Sequence, residues 1–283
     1  MRQVEQDAPY DMDLFSATVD GRDERRLTVG PARDEYPAWS PDGRTIAFTR
    51  SVDGRDELWL MDPDGSDQRP VTAGGAALKR WPAWSPDGRY LAYQSGFWSA
   101  PYWTLRIAVV DLSTGGVSHV TAGPDDRFPS FSPDGTQLAF GGRSGNDDSD
   151  FDLFLVNRDG SGLRNVTNAP RDYSGESYQF PKWNAAGNRL LVYYQRPEGG
   201  TILTMDLQGE HRTPITTDGA QPAGGPGCGG TLQYPSWSPD EDAVVFNGCD
   251  GLRVVNVDGT GLRRLDPAAV ADWRWQADWQ RRR

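Results

Sequence analysis

The chain has 283 residues, enough to bury one large core or two medium ones, and carries a formal net charge of −11. That acidity disfavours nucleic acid and anionic membrane surfaces as partners. No apolar run approaches the ~18 residues of a membrane span, and the opening MRQVEQDAPY is too polar for a signal peptide, so an exported form would need a further leader.

In chain order, DMDLFSATVDG (11–21) reads as a strand and turn that align with DELWLMDPDG (56–65). A motif then recurs: YPAWSPDGR (36–44), WPAWSPDGR (81–89), FPSFSPDGT (128–136), FPKWNAAGN (180–188) and YPSWSPDED (234–242). Its central aromatics, Trp39, Trp84, Phe131, Trp183 and Trp237, stand 45, 47, 52 and 54 residues apart. A degraded copy, QADWQR (276–281), places Trp279 another 42 residues on. After each aromatic come a turn and an apolar run: TIAF, YLAY, QLAF, RLLVYY and AVVF. A second run follows (ELWLMD, LRIAVVD, DLFLVN, TILTMD, LRVVNV), then a Gly-containing turn and a short fourth strand such as RPVT, HVT or RNVT.

Each period therefore predicts four short strands joined by hairpin turns, with no helix-length pattern, which is the signature of a β-propeller blade. Ser, Pro, Asp and Gly in SPDG suit a type I turn followed by a left-handed residue. The aromatic before the turn is expected between neighbouring blades. Five complete repeats and a blade assembled from both chain ends predict an all-β, six-bladed β-propeller with four antiparallel strands per blade. It forms a single domain over 1–283, closed by a blade shared between the N- and C-termini. MRQVEQ, which should supply a strand of that blade, lacks apolar character.

The repeated xPxWSPDGxxIAF…LWLMDPDGS resembles the repeat of the TolB-like β-propeller family, shared by the propeller domains of prolyl-oligopeptidase-type enzymes and by oligogalacturonate lyases. The resemblance covers the whole chain and implies the fold more than any one activity. The sequence has no G-x-S-x-G nucleophile motif. Its two histidines, His119 and His211, fall on outer strands, where the surface is expected.

Propeller connections divide between two faces. The SPDG and DPDGS turns share one. The other carries the connections between second and third strands and is the more variable, hence the expected binding face. FWSAPYW (97–103) is such a connection, and Phe97, Trp98 and Tyr102 form a candidate partner patch; a wide hairpin packed on the next blade is the alternative. The residues entering the inner strands, Glu35, Arg80, Arg127, Gln179, Gln233 and Gln276, form a ring at the channel mouth. Its arginines and amides suit a carboxylate, unless the charges simply neutralise one another around a water-filled channel. Asp148, Asp150 and Asp152 have the alternation of a calcium loop, with a solvated acidic loop as the other reading; otherwise no cofactor is expected. Cys228 and Cys249 fall near one another in hairpin register. A disulfide there, and the family resemblance, imply an extracytoplasmic site; two buried free thiols are the alternative.

The expected function is a non-catalytic binding or scaffolding propeller that recognises a protein segment or a small anionic ligand at the channel mouth and variable-loop face. The alternative is a lyase or hydrolase acting on an acidic saccharide in the channel.

Overall fold

Each SPDG segment closes a hairpin. At the first, Gly43 N–H donates to Ser40 O (2.9 Å) and Ser40 N–H to Thr45 O (2.8 Å). Ser40 Oγ accepts from Thr45 N–H (3.0 Å) and donates to Asp42 (2.7 Å), so one side chain fixes both limbs of the turn. Gly43 takes the left-handed conformation that follows a type I turn, with φ 65°. In the divergent NAAG copy, Asn184 Oδ1 takes over, accepting from Asn188 N–H (3.0 Å) and Arg189 N–H (2.9 Å).

The computed structural model describes residues 12–18, 23–99, 102–143, 150–168, 176–197, 199–216, 233–248 and 251–265. β1 (Phe15–Ser16) and β2 (Arg25–Arg26) form a two-stranded sheet. Five four-stranded antiparallel sheets follow. Blade I holds β3 (Arg33–Trp39), β4 (Ile46–Val52), β5 (Arg55–Met61) and β6 (Arg69–Pro70). Blade II holds β7 (Leu78–Trp84), β8 (Tyr90–Ser99), β9 (Tyr102–Asp111) and β10 (Val117–His119). Blade III holds β11 (Asp126–Phe131), β12 (Gln137–Gly142), β13 (Asp152–Asn157) and β14 (Arg164–Asn165). Blade IV holds β15 (Ser177–Trp183), β16 (Arg189–Arg196), β17 (Gly199–Asp206) and β18 (Thr213–Pro214). Blade V holds β19 (Gln233–Trp237), β20 (Ala243–Gly248), β21 (Gly251–Asn256) and β22 (Arg263–Arg264).

The expected six-bladed ring, closed by a blade shared between the termini, is corrected here: the described residues form five blades, and β1 and β2 pair only with each other. The repeat count by itself suggested the sixth blade. MRQVEQ and QADWQR, the segments assigned to that blade, lie outside the described residues.

The core lies between sheets, and this explains strands that are apolar on consecutive positions. Leu14 and Leu27 beside β1 and β2 pack on Ile46, Phe48 and Met61 of blade I. Leu58 of blade I meets Leu91, Tyr93 and Val110 of blade II. The same arrangement joins blades II and III through Ile107 and Phe140, III and IV through Leu153 and Tyr178, and IV and V through Tyr193 and Phe246. Each such side chain contributes about 1.5–3 kcal/mol on burial. At the outer rim, Gly65, Gly160, Gly209 and Gly259 lie against the backbone of the preceding sheet. A Cβ added there would stand 2.4 Å from Leu27 O, 3.0 Å from Val120 O, 2.3 Å from Val166 O and 2.9 Å from Ile215 O.

A threonine latch recurs behind β2 and behind the fourth strands of blades I to IV. Thr28, Thr72, Thr121, Thr167 and Thr216 accept through Oγ1 from the backbone N–H of Leu14, Leu58, Ile107, Leu153 and Ile202, at 2.8–3.0 Å. Thr72 and Thr167 in turn donate hydroxyl hydrogen bonds to Glu57 and Asp152, each at 2.7 Å.

The acid that serves Thr121 in this way is Asp126, from the next blade. Burial pushes its carboxyl up to about 6, against the Thr121 bond and a bond from Gly123 N–H (3.0 Å) that favour the charged form. The folded chain therefore holds this proton more tightly than the unfolded chain does. The resulting stabilisation is complete below about pH 4 and is lost as pH rises through 6, amounting to about 3 kcal/mol by pH 7.5. Urea denaturation from pH 4 to 7.5 is expected to show a difference between wild type and Asp126→Asn that changes across this window. A difference independent of pH would refute the assignment.

Candidate functional site

The inner strands carry a shared irregularity. Register breaks between Glu35 and Ala38, Arg80 and Ala83, Arg127 and Ser130, Gln179 and Lys182, and Gln233 and Ser236. At each break the first residue of the aromatic–Pro pair has a left-handed backbone: Tyr36 (φ 58°), Trp81 (61°), Phe128 (59°), Phe180 (55°) and Tyr234 (58°). The proline that follows has no N–H for the ladder, which suits the break. The bulge turns each ring toward the axis, where the five meet. Trp81 lies 4.1 Å from Tyr36, 4.7 Å from Phe128, 5.0 Å from Tyr234 and 5.8 Å from Phe180, between ring centroids. Phe180 also lies 4.1 Å from Phe128 and 4.5 Å from Tyr234. Among the described residues the channel is thus plugged with rings rather than filled with water.

The plug divides the axis in two. Toward the connections between second and third strands lie four of the expected ring residues. Glu35 is buried and accepts from Arg33 (2.7 Å), while its Oε2 has no partner among the described residues. Arg80 donates from Nε to Asp56. Arg127 donates to both Asp125 oxygens, and Arg143 stands 3.0 Å from the same carboxylate. Gln179 donates to Ser177 Oγ (3.0 Å). Gln233 opens β19, and Gln276 lies outside the described residues. The flanking Asp34 and Lys79 are buried in ion pairs with Arg50 (2.7 Å) and Glu57 (2.8 Å). Beneath this rim, burial and then the Glu35 charge push the Tyr36 hydroxyl up to about 12. Each rim arginine therefore already holds a carboxylate of its own chain.

On the same face, β8 and β9 form the longest hairpin, ten residues each. Phe97 and Trp98 are 41% and 57% exposed near its tip, with the Arg106 guanidinium 5.5 Å from the Phe97 ring. Trp98 is in register with Trp103, and Ser99 with Tyr102. Of the candidate calcium ligands, Asp148 lies outside the described residues and Asp150 precedes blade III's third strand. Asp152 is buried, with its oxygens accepting from Thr167 Oγ1 and Asn165 Nδ2 (2.7 Å each), which ties it to the latch. Cys228 and Cys249 lie outside the described residues. His119 and His211 are exposed, as expected.

The feature not foreseen is on the other side of the plug, where a cavity of about 320 Å³ opens among the SPDG turns. The five rings form its floor, and Trp39, Trp84, Phe131, Trp183 and Trp237 stand around it. Trp84 Nε1–H donates to Ala38 O (3.0 Å), Trp183 to Ser130 O (3.1 Å) and Trp237 to Lys182 O (3.4 Å), so each indole bridges to the preceding blade. The signal was present in the sequence: after each aromatic–Pro pair stands Ala38, Ala83, Ser130, Lys182 or Ser236, and only the lysine is large.

Comparison with known proteins agrees with this architecture. The chain is 38% identical over 120 residues to the Tol-Pal system protein TolB of Bordetella pertussis, covering 42% of this chain and 26% of that one. It spans less than half the length of the curated relatives it matches. The fold superposes on the crystal structure of TolB from Acinetobacter baumannii with a TM-score of 0.69 at 19% identity, covering 87% of this chain and 57% of that one. An oligogalacturonate lyase from Vibrio parahaemolyticus superposes with a TM-score of 0.58 at 18% identity, covering 88% and 69%. Among the described residues no helix is long and apolar enough to cross a membrane. The TolB beta propeller domain profile matches residues 4–175, more than half of the sequence, and the chain belongs to that family.

Proposed function

We propose that this propeller is a non-catalytic binding module that holds a segment of another protein on the face carrying the connections between second and third strands. The observation that supports it most is the β8–β9 hairpin, which outreaches its counterparts and leaves Phe97 and Trp98 exposed beside a polar rim. An acidic saccharide, the substrate of the lyase or hydrolase alternative, would have to displace Asp56 from Arg80 and Asp125 from Arg127. The similarity to a Tol-Pal system protein favours a protein partner and a site outside the cytoplasm. On this reading Cys228 and Cys249 are joined, and thiol titration of the denatured, unreduced protein finds none free.

The test uses wild type and a Phe97→Ala/Trp98→Ala variant as baits in extract of the source organism, followed by calorimetry with the protein recovered. A protein retained by wild type and weakened at least tenfold by the double variant supports the reading. Equal retention by both baits, or turnover of uronate oligomers, would overturn it.

A further inference from the structure

Lys182 departs from its repeat. Its counterparts Ala38, Ala83, Ser130 and Ser236 are small, and all five line the cavity on the SPDG face. The chain has two lysines. Lys79 is buried against Glu57, whereas Lys182 makes no side-chain hydrogen bond or ion pair among the described residues. Glu241 is the other charged residue in the lining, and its Oε1 accepts from Ala185 N–H instead of pairing with Lys182. Lys182, whose side chain has no partner among the described residues, thus lines a chamber whose floor and walls are rings and prolines. The surroundings offer a ligand two things: flat apolar surface, and one strong donor for an anion. At about 320 Å³ the chamber suits one or two fused rings.

We propose that this cavity binds a carboxylate carried on a flat apolar body, with Lys182 Nζ taking the carboxylate and the aromatic floor taking the body. This is a second site, across the plug from the face assigned above, and does not rest on that assignment. The same chemistry could come from a free aromatic acid or from an aromatic residue at the C-terminus of a peptide.

Isothermal titration calorimetry of the whole chain with four probes tests the proposal: indole-3-propanoate, its amide, the peptide Gly-Gly-Phe with a free carboxylate, and the same peptide amidated. The acid is expected to bind about tenfold or more tightly than its amide, and increasingly weakly with added salt. Lys182→Met is expected to reduce the acid to the level of the amide while keeping the wild-type melting temperature, and Lys182→Arg to restore part of the preference. Binding of the free-carboxylate peptide with the same dependence assigns a chain terminus as the source; binding of the indole acid alone assigns a small molecule. Equal affinity for acids and amides in wild type, absence of binding by either acid, or a preference untouched by Lys182→Met overturns the proposal. The acid–amide comparison needs no variant, so it stands even if a substitution disturbs folding.

Discussion

Replacing Trp81 with alanine is expected to lower stability by about 3–5 kcal/mol, the range for removing a large aromatic from a packed interior. Its indole contacts the rings of Tyr36, Phe128, Phe180 and Tyr234, so the substitution hollows the junction of four other inner strands at once. The surrounding backbone has little freedom to collapse into the gap, because every neighbouring ring is fixed by a left-handed bulge. Guanidinium denaturation followed by circular dichroism measures the effect. Trp98→Ala, which removes an indole that is 57% exposed, is the comparison and is expected to cost less than about 0.5 kcal/mol. Equal losses would show that the central cluster has no special weight.

Gly209→Ala is expected to be nearly as damaging for a different reason. Gly209 has φ 80°, and an added Cβ would lie 2.3 Å from Val166 O. The left-handed conformation alone costs a non-glycine residue about 1–2 kcal/mol, and the clash with backbone from the preceding sheet adds to it, for a total of about 3 kcal/mol or more. Gly115 separates the two contributions: its φ is 72°, but nothing lies within 4 Å of an added Cβ. Gly115→Ala should therefore show only the conformational cost. If calorimetric melting gave the two variants the same shift, sheets III and IV would have to be able to part at their rim.

The strands and turns were legible because their causes are local. Alternation and apolar runs mark the strands, and the Ser–Pro–Asp–Gly order specifies its turn from within four residues, so even Asn184 in the divergent copy closes the same hairpin. The bridging role of Trp84, Trp183 and Trp237 was also readable, since a large ring before every turn has few other places to go. The positions of Glu35, Arg80, Arg127 and Gln179 at one rim followed from the repeat. The partner of Arg80 did not, because Asp56 reaches it from the preceding blade, a pairing that no spacing encodes, whereas Asp125 stands only two residues before Arg127. The plug was missed for a related reason: an aromatic before proline reads as ordinary strand, and its left-handed turn appears only once both strands of the pair are in place. Blade number failed because a motif count does not say which segments pair into one sheet, and among the described residues β1 and β2 pair with each other alone.

The placement of the apolar clusters has a consequence for how the molecule comes apart. Every cluster is shared by at least two sheets, and the rings on the axis belong to all five. No sheet owns an interior, so none is a self-sufficient cooperative unit, and detaching any one leaves its neighbours with bare faces and the strain of five left-handed aromatics unopposed. Linear repeat arrays can fray from their ends. Here the axial rings tie all five sheets to one another, so heat and denaturant should instead meet a single barrier, with blades I to V lost in one transition at every probe.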